Sequence, residues 1–255
     1  MKLLRTFLAA TAVAFAGIAT AAPIGGVGPD AFGYSGNDSA YNYRSTAGTG
    51  VFLSDDVVSG AIGLGFSFDF YGVSYSQLYI SSNGFVTFSP NQSQGCCSAH
   101  FGQSANGGPS NLIAGLWDDL FPPGGGGFIN YATSGVAGSR EFVVTYGSMP
   151  FCCDNNGINN FQIILHEASN DIELQYHFAA LRSGRTGIGI SNLNESVMLV
   201  AMGNASADGS LQDQGYCFST HNAQCGSAVP EPGSLALAGL ALIGLAGLQL
   251  RRARG

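Results

Sequence analysis

The amino-acid sequence predicts an all-β protein, an antiparallel β-sandwich of jelly-roll or similar type. Short runs of strand-forming residues recur along the middle of the chain and are separated by turn residues, as in antiparallel sheets. Glycine, with 38 residues in the chain, and asparagine supply these turns. Outside the two ends, the apolar residues show no sustained helical spacing.

The first clear strand contains three phenylalanines. Phe66, Phe68 and Phe70 alternate with polar residues, which would place their rings on one face of a sheet. The runs 78–81 and 85–88 then flank Ser82-Asn83-Gly84, which predicts a tight hairpin in which Asn83 and Gly84 adopt the positive φ angles. Further strands are predicted at 142–146, 161–166, 172–178 and 187–190.

The N-terminus carries the features of an export signal. Lys2 and Arg5 precede an apolar run, residues 7–18, and Ala19-Thr20-Ala21 has the small residues that a signal peptidase accepts. We interpret residues 1–21 as a signal peptide. The alternative is a buried N-terminal helix or a membrane anchor, but the apolar run is short and favours a removable signal.

The C-terminus combines three elements in a fixed order. Val229-Pro230-Glu231-Pro232 is followed by the apolar segment 233–250 and then by Arg251, Arg252 and Arg254. As a transmembrane helix the segment would span about 27 Å, with the arginines on the cytoplasmic side. The arrangement resembles the PEP-CTERM sorting signal of Gram-negative bacteria, which implies recognition by an exosortase-type membrane protease. A plain membrane anchor is the alternative, and only the Pro-Glu-Pro motif separates the two.

Between these ends we predict a single extracytoplasmic domain, residues 22–228, with its core at about 61–203. Residues 22–229 contain four arginines, no lysine and 15 acidic residues, a formal charge of −11. A surface this acidic repels the phosphates of nucleic acids. We therefore expect no nucleic-acid partner.

Five short motifs in this domain resemble those of nidogen-like extracellular domains. They are Phe68-Asp69-Phe70-Tyr71-Gly72, Ser81-Ser82-Asn83-Gly84-Phe85, Ile113-Ala114-Gly115-Leu116-Trp117-Asp118-Asp119, Asn160-Phe161-Gln162-Ile163-Ile164-Leu165 and Gly187-Ile188-Gly189. The resemblance spans about half of the chain. It implies an extracellular β domain of adhesive or matrix proteins and carries no catalytic residues with it. Two double-cysteine loops depart from the pattern.

Six cysteines in an exported chain predict disulfides. They are Cys96, Cys97, Cys152, Cys153, Cys217 and Cys225. Adjacent cysteines have Cα atoms about 3.8 Å apart, below the usual disulfide range, so the simplest hypothesis joins the two double-cysteine loops twice. It also pairs Cys217 with Cys225, although six cysteines permit 15 pairings. A metal site is the alternative, but adjacent cysteines lack the spacing of zinc knuckles.

The sequence offers no catalytic constellation and no cofactor-binding motif. It lacks the G-x-S-x-G elbow, the H-E-x-x-H helix, the P-loop and the dinucleotide fingerprint. His166 and His177 fall in predicted strands, where we expect them to face solvent. Asp118 and Asp119, beside Trp117, are candidate calcium ligands. The favoured alternative is that Trp117 ends a core strand and the aspartates begin a solvated turn, since no calcium-loop spacing accompanies them.

These features predict a non-catalytic exported protein of the cell envelope or extracellular matrix of a Gram-negative bacterium, membrane-anchored before processing. The expected role is adhesion, biofilm formation or association with exopolysaccharide or other matrix components. A carbohydrate-binding module is the alternative, because Tyr34, Tyr41 and Tyr43 lie in a Gly/Asn/Ser-rich segment and could stack on sugars. They could equally cover a sheet edge. A secreted hydrolase is the weaker alternative.

Overall fold

The computed structural model describes residues 24–93, 95–152, 158–203, 208–221 and 225. This part of the chain contains 13 strands and two short 3₁₀ helices, Ser104–Asn106 and Leu193–Glu195. The strands are β1 (Ser35–Ser39), β2 (Thr49–Gly50), β3 (Ile62–Phe70), β4 (Val73–Ile80), β5 (Phe85–Thr87), β6 (Leu112–Trp117), β7 (Phe128–Ser134), β8 (Glu141–Met149), β9 (Asn159–His166), β10 (Ile172–Leu181), β11 (Gly187–Ser191), β12 (Met198–Met202) and β13 (Gly209–Ser219).

Neither predicted terminal element falls in this part of the chain. The signal peptide, 1–21, and the transmembrane helix, 233–250, both lie outside the described residues. Among the residues that are described, no helix has the length and apolar character needed to cross a membrane.

The strands form two antiparallel sheets, which confirms the prediction of an all-β sandwich. The seven-stranded sheet has the order β1-β13-β10-β9-β8-β7-β2, and the six-stranded sheet has the order β12-β11-β6-β5-β4-β3. Strands β7 to β10 and β3 to β6 are meanders of consecutive neighbours, unlike the Greek keys of a jelly roll. β1 and β13 pair with each other outside the range 61–203 that the sequence predicts for the core.

The alternation along β3 turns its phenylalanines inward, as predicted. Phe66, Phe68 and Phe70 are all buried, while the residues that alternate with them are exposed. The seven-stranded sheet contributes Tyr146 and Phe161, whose rings stack with centroids 4.6 Å apart. Each large side chain buried in this way contributes about 1.5–3 kcal/mol, so these rings are a main source of stability.

Two buried tyrosines also join the sheets by hydrogen bonds. The hydroxyl of Tyr146 in β8 lies 2.9 Å from the carbonyl of Ser81 and 3.0 Å from that of Phe85. Tyr176 in β10 donates its hydroxyl to the carbonyl of Gly115 in β6 at 2.7 Å. Because a buried hydroxyl without a partner is costly, these bonds favour one relative position of the two sheets.

The hairpin between β4 and β5 turns through Ser82, Asn83 and Gly84. The Ser81 N–H donates to the Phe85 carbonyl at 2.9 Å and closes this three-residue loop. Gly84 has a φ of 81°, whereas Asn83 is not in the positive region. The expectation that both residues adopt positive φ is therefore wrong, because a loop of three residues needs only one left-handed position.

The segment that follows β1, residues 40–48, crosses the outer face of the seven-stranded sheet, and we call it the covering segment. Gln175 of β10 accepts a hydrogen bond from the Asn42 N–H at 2.7 Å. Gln162 of β9 accepts one from the Arg44 N–H at 2.8 Å and donates one to the Arg44 carbonyl at 3.0 Å. The backbone of the segment thus bonds to side chains on the sheet and not to the backbone of an edge strand. The segment therefore covers a sheet face and not a sheet edge.

Arg44 anchors this segment through ion pairs with two carboxylates. Its guanidinium lies 2.9 Å from Glu141 and 2.8 Å from Glu173. His166 joins the cluster, with Nε2 2.8 Å from a Glu173 oxygen, and only 5% of His166 is exposed. The expectation that His166 faces solvent is wrong, because the covering segment excludes water there. The side chain of His177 is 61% exposed, in agreement with the prediction.

We expect this cluster to make the fold sensitive to acid. Burial by itself raises the pKa of Glu173, but hydrogen bonds from His166 and Arg44 outweigh it and lower the pKa below the usual value of 4.5. A lowered folded-state pKa contributes stability above the unfolded value, and this stability is lost as the pH falls through the folded pKa. The free energy of unfolding should therefore fall below about pH 4.5 more steeply in the wild type than in Glu173→Gln. Equal acid slopes in urea titrations would contradict this.

Candidate functional site at Asp118 and Asp119

Strand β6 ends at Trp117, and the two aspartates follow it. Trp117 is 1% exposed, and its indole N–H donates to the Gly95 carbonyl at 2.7 Å. The rings of Phe85 and Phe101 contact it, with centroids 5.5 and 5.3 Å away. Trp117 is thus a core residue, as expected, and its packing holds the start of the loop that follows.

Asp118 is completely buried and fully paired. Arg182 contacts both of its carboxylate oxygens, with Nε 3.1 Å from Oδ2. The Thr186 hydroxyl donates to Oδ2 at 2.6 Å, and the Asp119 N–H donates to Oδ1 at 2.7 Å. The expectation of a solvated turn is therefore wrong, because the aspartates lie inside the protein. Asp118 is also unsuited as a calcium ligand, because hydrogen-bond donors of the protein already contact both of its carboxylate oxygens.

The side chain of Asn83 joins the hairpin to two other loops. Its Nδ2 donates to Oδ1 of Asp56 at 2.8 Å, and its Oδ1 accepts from the Leu120 N–H at 2.9 Å. Its backbone carbonyl accepts from the Asp118 N–H at 3.3 Å. Two of the nidogen-like motifs, the Ser81–Phe85 hairpin and the end of β6, thus meet here.

Asp119 contacts different residues from Asp118, and its charge is poorly compensated. Its nearest cation is Arg185, with the nitrogen 3.7 Å from Oδ2, and its Oδ1 is buried without a hydrogen-bond partner. Burial raises the pKa of Asp119, and the charges of Asp56 and Asp55 raise it further. Arg185 and Arg182 act in the opposite direction. The carboxylates of Asp55, Asp56 and Asp119 therefore lie close enough together to repel one another, and Asp119 is largely shielded from solvent.

The structure corrects the predicted disulfide pairing. Cys217 and Cys225 are bonded as predicted, with Cα atoms 5.5 Å apart. Cys96, however, is bonded to its neighbour Cys97, with Cα atoms 3.4 Å apart. The predicted bridges from this pair to the second double-cysteine loop are therefore wrong, because the two adjacent sulfurs do reach each other. Cys153 lies outside the described residues.

Both double-cysteine loops nevertheless approach Asp119. The sulfurs of Cys96 and Cys97 and a carboxylate oxygen of Asp119 all lie within 4.8 Å of one another. The sulfur of Cys152, which is also disulfide-bonded, lies within the same distance of oxygens of Asp55 and Asp119. Asp119 is therefore the residue on which these loops converge. We call the surroundings of Asp118 and Asp119 the Asp119 corner.

An open cavity of about 440 Å³ lies beside this corner. Its lining is part polar and part apolar, and the polar residues include Ser98, His100 and Gln103. The Ser98 hydroxyl is 2.8 Å from Nε2 of His100. Within the described residues, no carboxylate hydrogen-bonds to the other ring nitrogen of His100, so the pair lacks the orienting group of a catalytic triad. The cavity offers hydroxyl and amide groups suited to binding a polar ligand.

The three tyrosines that the sequence singled out do not act together. Tyr34 is 2% exposed and belongs to the core. Tyr41 is 39% exposed, and its hydroxyl lies 3.1 Å from Nδ1 of His177. The ring centroids of Tyr43 and His177 are 6.0 Å apart, and Asp213 contacts the same His177 nitrogen at 3.0 Å. Tyr41, Tyr43 and His177 form a small patch of rings, which we call the ring patch.

Several residues of the Asp119 corner were missed by sequence reasoning. They are Asp55, Asp56, Arg182, Arg185 and Thr186. A signal existed for the arginines, because two of the four arginines between residues 22 and 229 lie three positions apart. Asp55-Asp56 had no comparable signal, since its neighbours along the chain form no regular strand.

Two protein-family models together match residues 33–252 of the chain. The family model described as NIDO related matches residues 33–228. The PEP-CTERM protein-sorting motif matches residues 228–252. No curated protein and no solved structure matches the chain. The chain belongs to the NIDO-related family, and its PEP-CTERM motif marks it as an exported, exosortase-sorted protein associated with the cell envelope of Gram-negative bacteria.

Proposed function

We propose that this chain is a non-catalytic protein of the cell envelope or extracellular matrix that acts in adhesion, biofilm formation or exopolysaccharide association. The observation that carries the proposal is the direct junction of two sequence matches. The NIDO-related match ends at residue 228, where the sorting motif begins. A domain of adhesive type set immediately before a sorting signal is well placed to present a binding surface at the envelope.

The charge of the domain supports this role. Residues 22–229 carry a formal charge of −11 and no lysine. Mutual repulsion keeps such molecules apart in dilute solution, whereas divalent cations or polysaccharide can bridge them. Association at the cell surface should therefore depend on salt and on calcium.

Carbohydrate binding is the second candidate, and the ring patch favours it. Sugars stack on exposed aromatic rings that have hydrogen-bonding groups at their edges. Tyr41 offers a partly exposed ring, and His177 and Asp213 supply polar atoms beside it. The cavity of about 440 Å³ near Asp119 is a further place for a sugar.

A secreted hydrolase has less support. Asp118 is held by Arg182 and Thr186, so it is not available as an acid or base. The Ser98–His100 pair lacks an orienting carboxylate within the described residues. Catalytic turnover of polysaccharide, ester or peptide substrates that is lost in a folded Asp119→Asn variant would overturn the non-catalytic proposal.

The proposal predicts a loss of cell-surface association when the gene is deleted. Biofilm mass and cell aggregation should fall severalfold, while growth in dispersed culture stays unchanged, because the protein acts between cells or within the matrix. The measurements are crystal-violet staining and settling rate. Wild-type protein should restore both.

Complementation with Tyr41→Ala separates the two candidate functions. If the ring patch binds polysaccharide, this variant reaches the envelope but restores neither biofilm nor retention on immobilised polysaccharide. The matched control is Phe52→Ala, which removes another ring, 99% exposed, from a different part of the surface. Biofilm and aggregation that are unaltered by the gene deletion would contradict the adhesion proposal itself.

A further inference from the structure

Two carboxylate oxygens at the Asp119 corner are buried without a partner. They are Oδ1 of Asp119 and Oδ1 of Asp55. The side chain of Asp119 is nine-tenths buried, and oxygens of the two residues lie within 4.8 Å of each other. Buried carboxylates in folded proteins are paired with cations, hydrogen-bonded or coordinated to a metal. These two oxygens have none of those partners among the described residues.

The charges nearby do not balance. Asp55, Asp56 and Asp119 share this corner. Burial and the charge of Asp56 raise the pKa of Asp55, against a smaller opposing effect of a hydrogen bond from the Asp56 backbone. Arg182 is taken up by Asp118. The other cation, Arg185, is 3.7 Å from Asp119, and its side chain is 43% exposed. The Arg185 guanidinium also donates to the Cys97 carbonyl, at 3.0 and 3.2 Å. Three carboxylates thus face one guanidinium, which leaves a net charge close to −2.

We propose that the carboxylates of Asp55 and Asp119 bind a divalent cation, and that the cation is Ca²⁺. The chemistry of the donors narrows the choice of metal. Both ligands are hard oxygens, which suit Ca²⁺ or Mg²⁺ and not the softer transition metals. Calcium is preferred because it accepts irregular oxygen coordination, whereas Mg²⁺ demands near-ideal octahedral geometry. The nearby sulfur of Cys152 belongs to a disulfide and so cannot serve as a thiolate ligand for zinc.

The position of the site gives it a structural consequence. Asp55 lies in the loop before β3, and Asp119 lies in the loop after β6, so the cation links two segments 64 positions apart in sequence. It also lies beside the loop of Cys152, whose N–H donates to the Asp119 carbonyl at 2.7 Å. Calcium should therefore rigidify this end of the sandwich. The inference does not depend on adhesion or sugar binding.

Terbium luminescence provides a direct test on the full-length chain in detergent. Trp117 is the only tryptophan and lies two residues before Asp119, so its excitation should sensitise a Tb³⁺ ion bound in place of Ca²⁺. We expect Tb³⁺ emission that Ca²⁺ displaces with a Kd of about 10⁻⁴–10⁻³ M, the range of extracellular calcium modules. Asp119→Asn and Asp55→Asn should each weaken calcium binding at least ~10-fold. The control Asp213→Asn, an exposed aspartate on β13, should bind like the wild type.

Thermal unfolding gives a second readout. Calcium at ten times the wild-type Kd should raise the wild-type Tm by about 3 °C and the Tm of each site variant by about 1 °C or less. Circular dichroism establishes that each variant is folded, which is expected because asparagine keeps the shape and removes a repulsive charge. The proposal is overturned if the wild type shows no calcium-displaceable emission, or if both folded variants bind Ca²⁺ normally. Zinc binding that appears only after reduction and persists in both variants, without calcium binding, would also overturn it.

Discussion

Replacing Arg182 with alanine should lower the free energy of unfolding by about 3–5 kcal/mol, because it leaves the buried carboxylate of Asp118 without its counter-charge. Asp118 is completely buried, and Arg182 contacts both of its oxygens. The change also removes a cation–π contact, since the guanidinium carbon lies 3.9 Å from the centroid of the Phe151 ring. Urea denaturation followed by circular dichroism measures the loss.

Arg185→Ala is the matched control for this prediction. Its side chain is 43% exposed, lies 3.7 Å from its carboxylate partner and donates to the Cys97 carbonyl, so its removal should cost less than that of Arg182, about 1–2 kcal/mol. The double variant Asp118→Asn, Arg182→Ala should be more stable than Arg182→Ala alone, because no buried charge remains. A loss below about 1 kcal/mol for Arg182→Ala would mean that Asp118 is not held as a buried ion.

Substitution of Gly84 by alanine should be at least as damaging, with an expected loss of about 4 kcal/mol or more. Two effects add. Gly84 has a φ of 81°, and a Cβ at this position would lie 2.0 Å from the Leu116 carbonyl oxygen. That oxygen belongs to the backbone of β6 and cannot move away without disturbing the hydrogen bonds that the Gly84 carbonyl accepts from Gly115 and Leu116, both 3.1 Å long. Melting temperature and the yield of folded protein report the effect.

Gly138→Ala separates the two causes. Gly138 has a similar φ, 89°, but a Cβ added there would meet no atom within 4 Å. It should therefore show only the cost of the left-handed backbone, about 1–2 kcal/mol. If Gly84→Ala is no worse than Gly138→Ala, close approach of β6 to the hairpin is not what requires glycine at position 84.

The strands that sequence reasoning found were those with strong local patterns. The alternation of phenylalanines along β3 and the apolar runs of β8, β9 and β10 were all predicted. β1 and β13 were missed, because Ser35–Ser39 and most of Gly209–Ser219 are polar or glycine. Those two strands are stabilised mainly by their ladders with each other and with β10. Pairing between distant segments leaves little trace in local hydrophobicity.

The burial of polar groups under the covering segment was likewise not predictable from local sequence patterns. His166 alternates with Phe161, Ile163 and Leu165, which places it on the sheet face away from the core, where a histidine normally meets solvent. Its burial depends on Arg44, which reaches the same sheet face from 122 positions earlier and pairs with Glu141 and Glu173. Such ion pairs join residues from separate segments, so the spacing of residues within either segment does not predict them.

Export, sorting and the all-β class follow from the sequence alone, because each depends on residues that are close together along the chain. Signal peptides and sorting tails are read as linear peptides, and strand alternation is a property of consecutive side chains. The identity of the Asp119 corner required the tertiary structure. Asp118 and Asp119 are neighbours, yet one faces Arg182 and the other faces Asp55. Folding brings together the loops that decide which of the two carboxylates is paired with an arginine and which keeps an uncompensated charge. The negative charge that we propose binds a cation depends on the same loops.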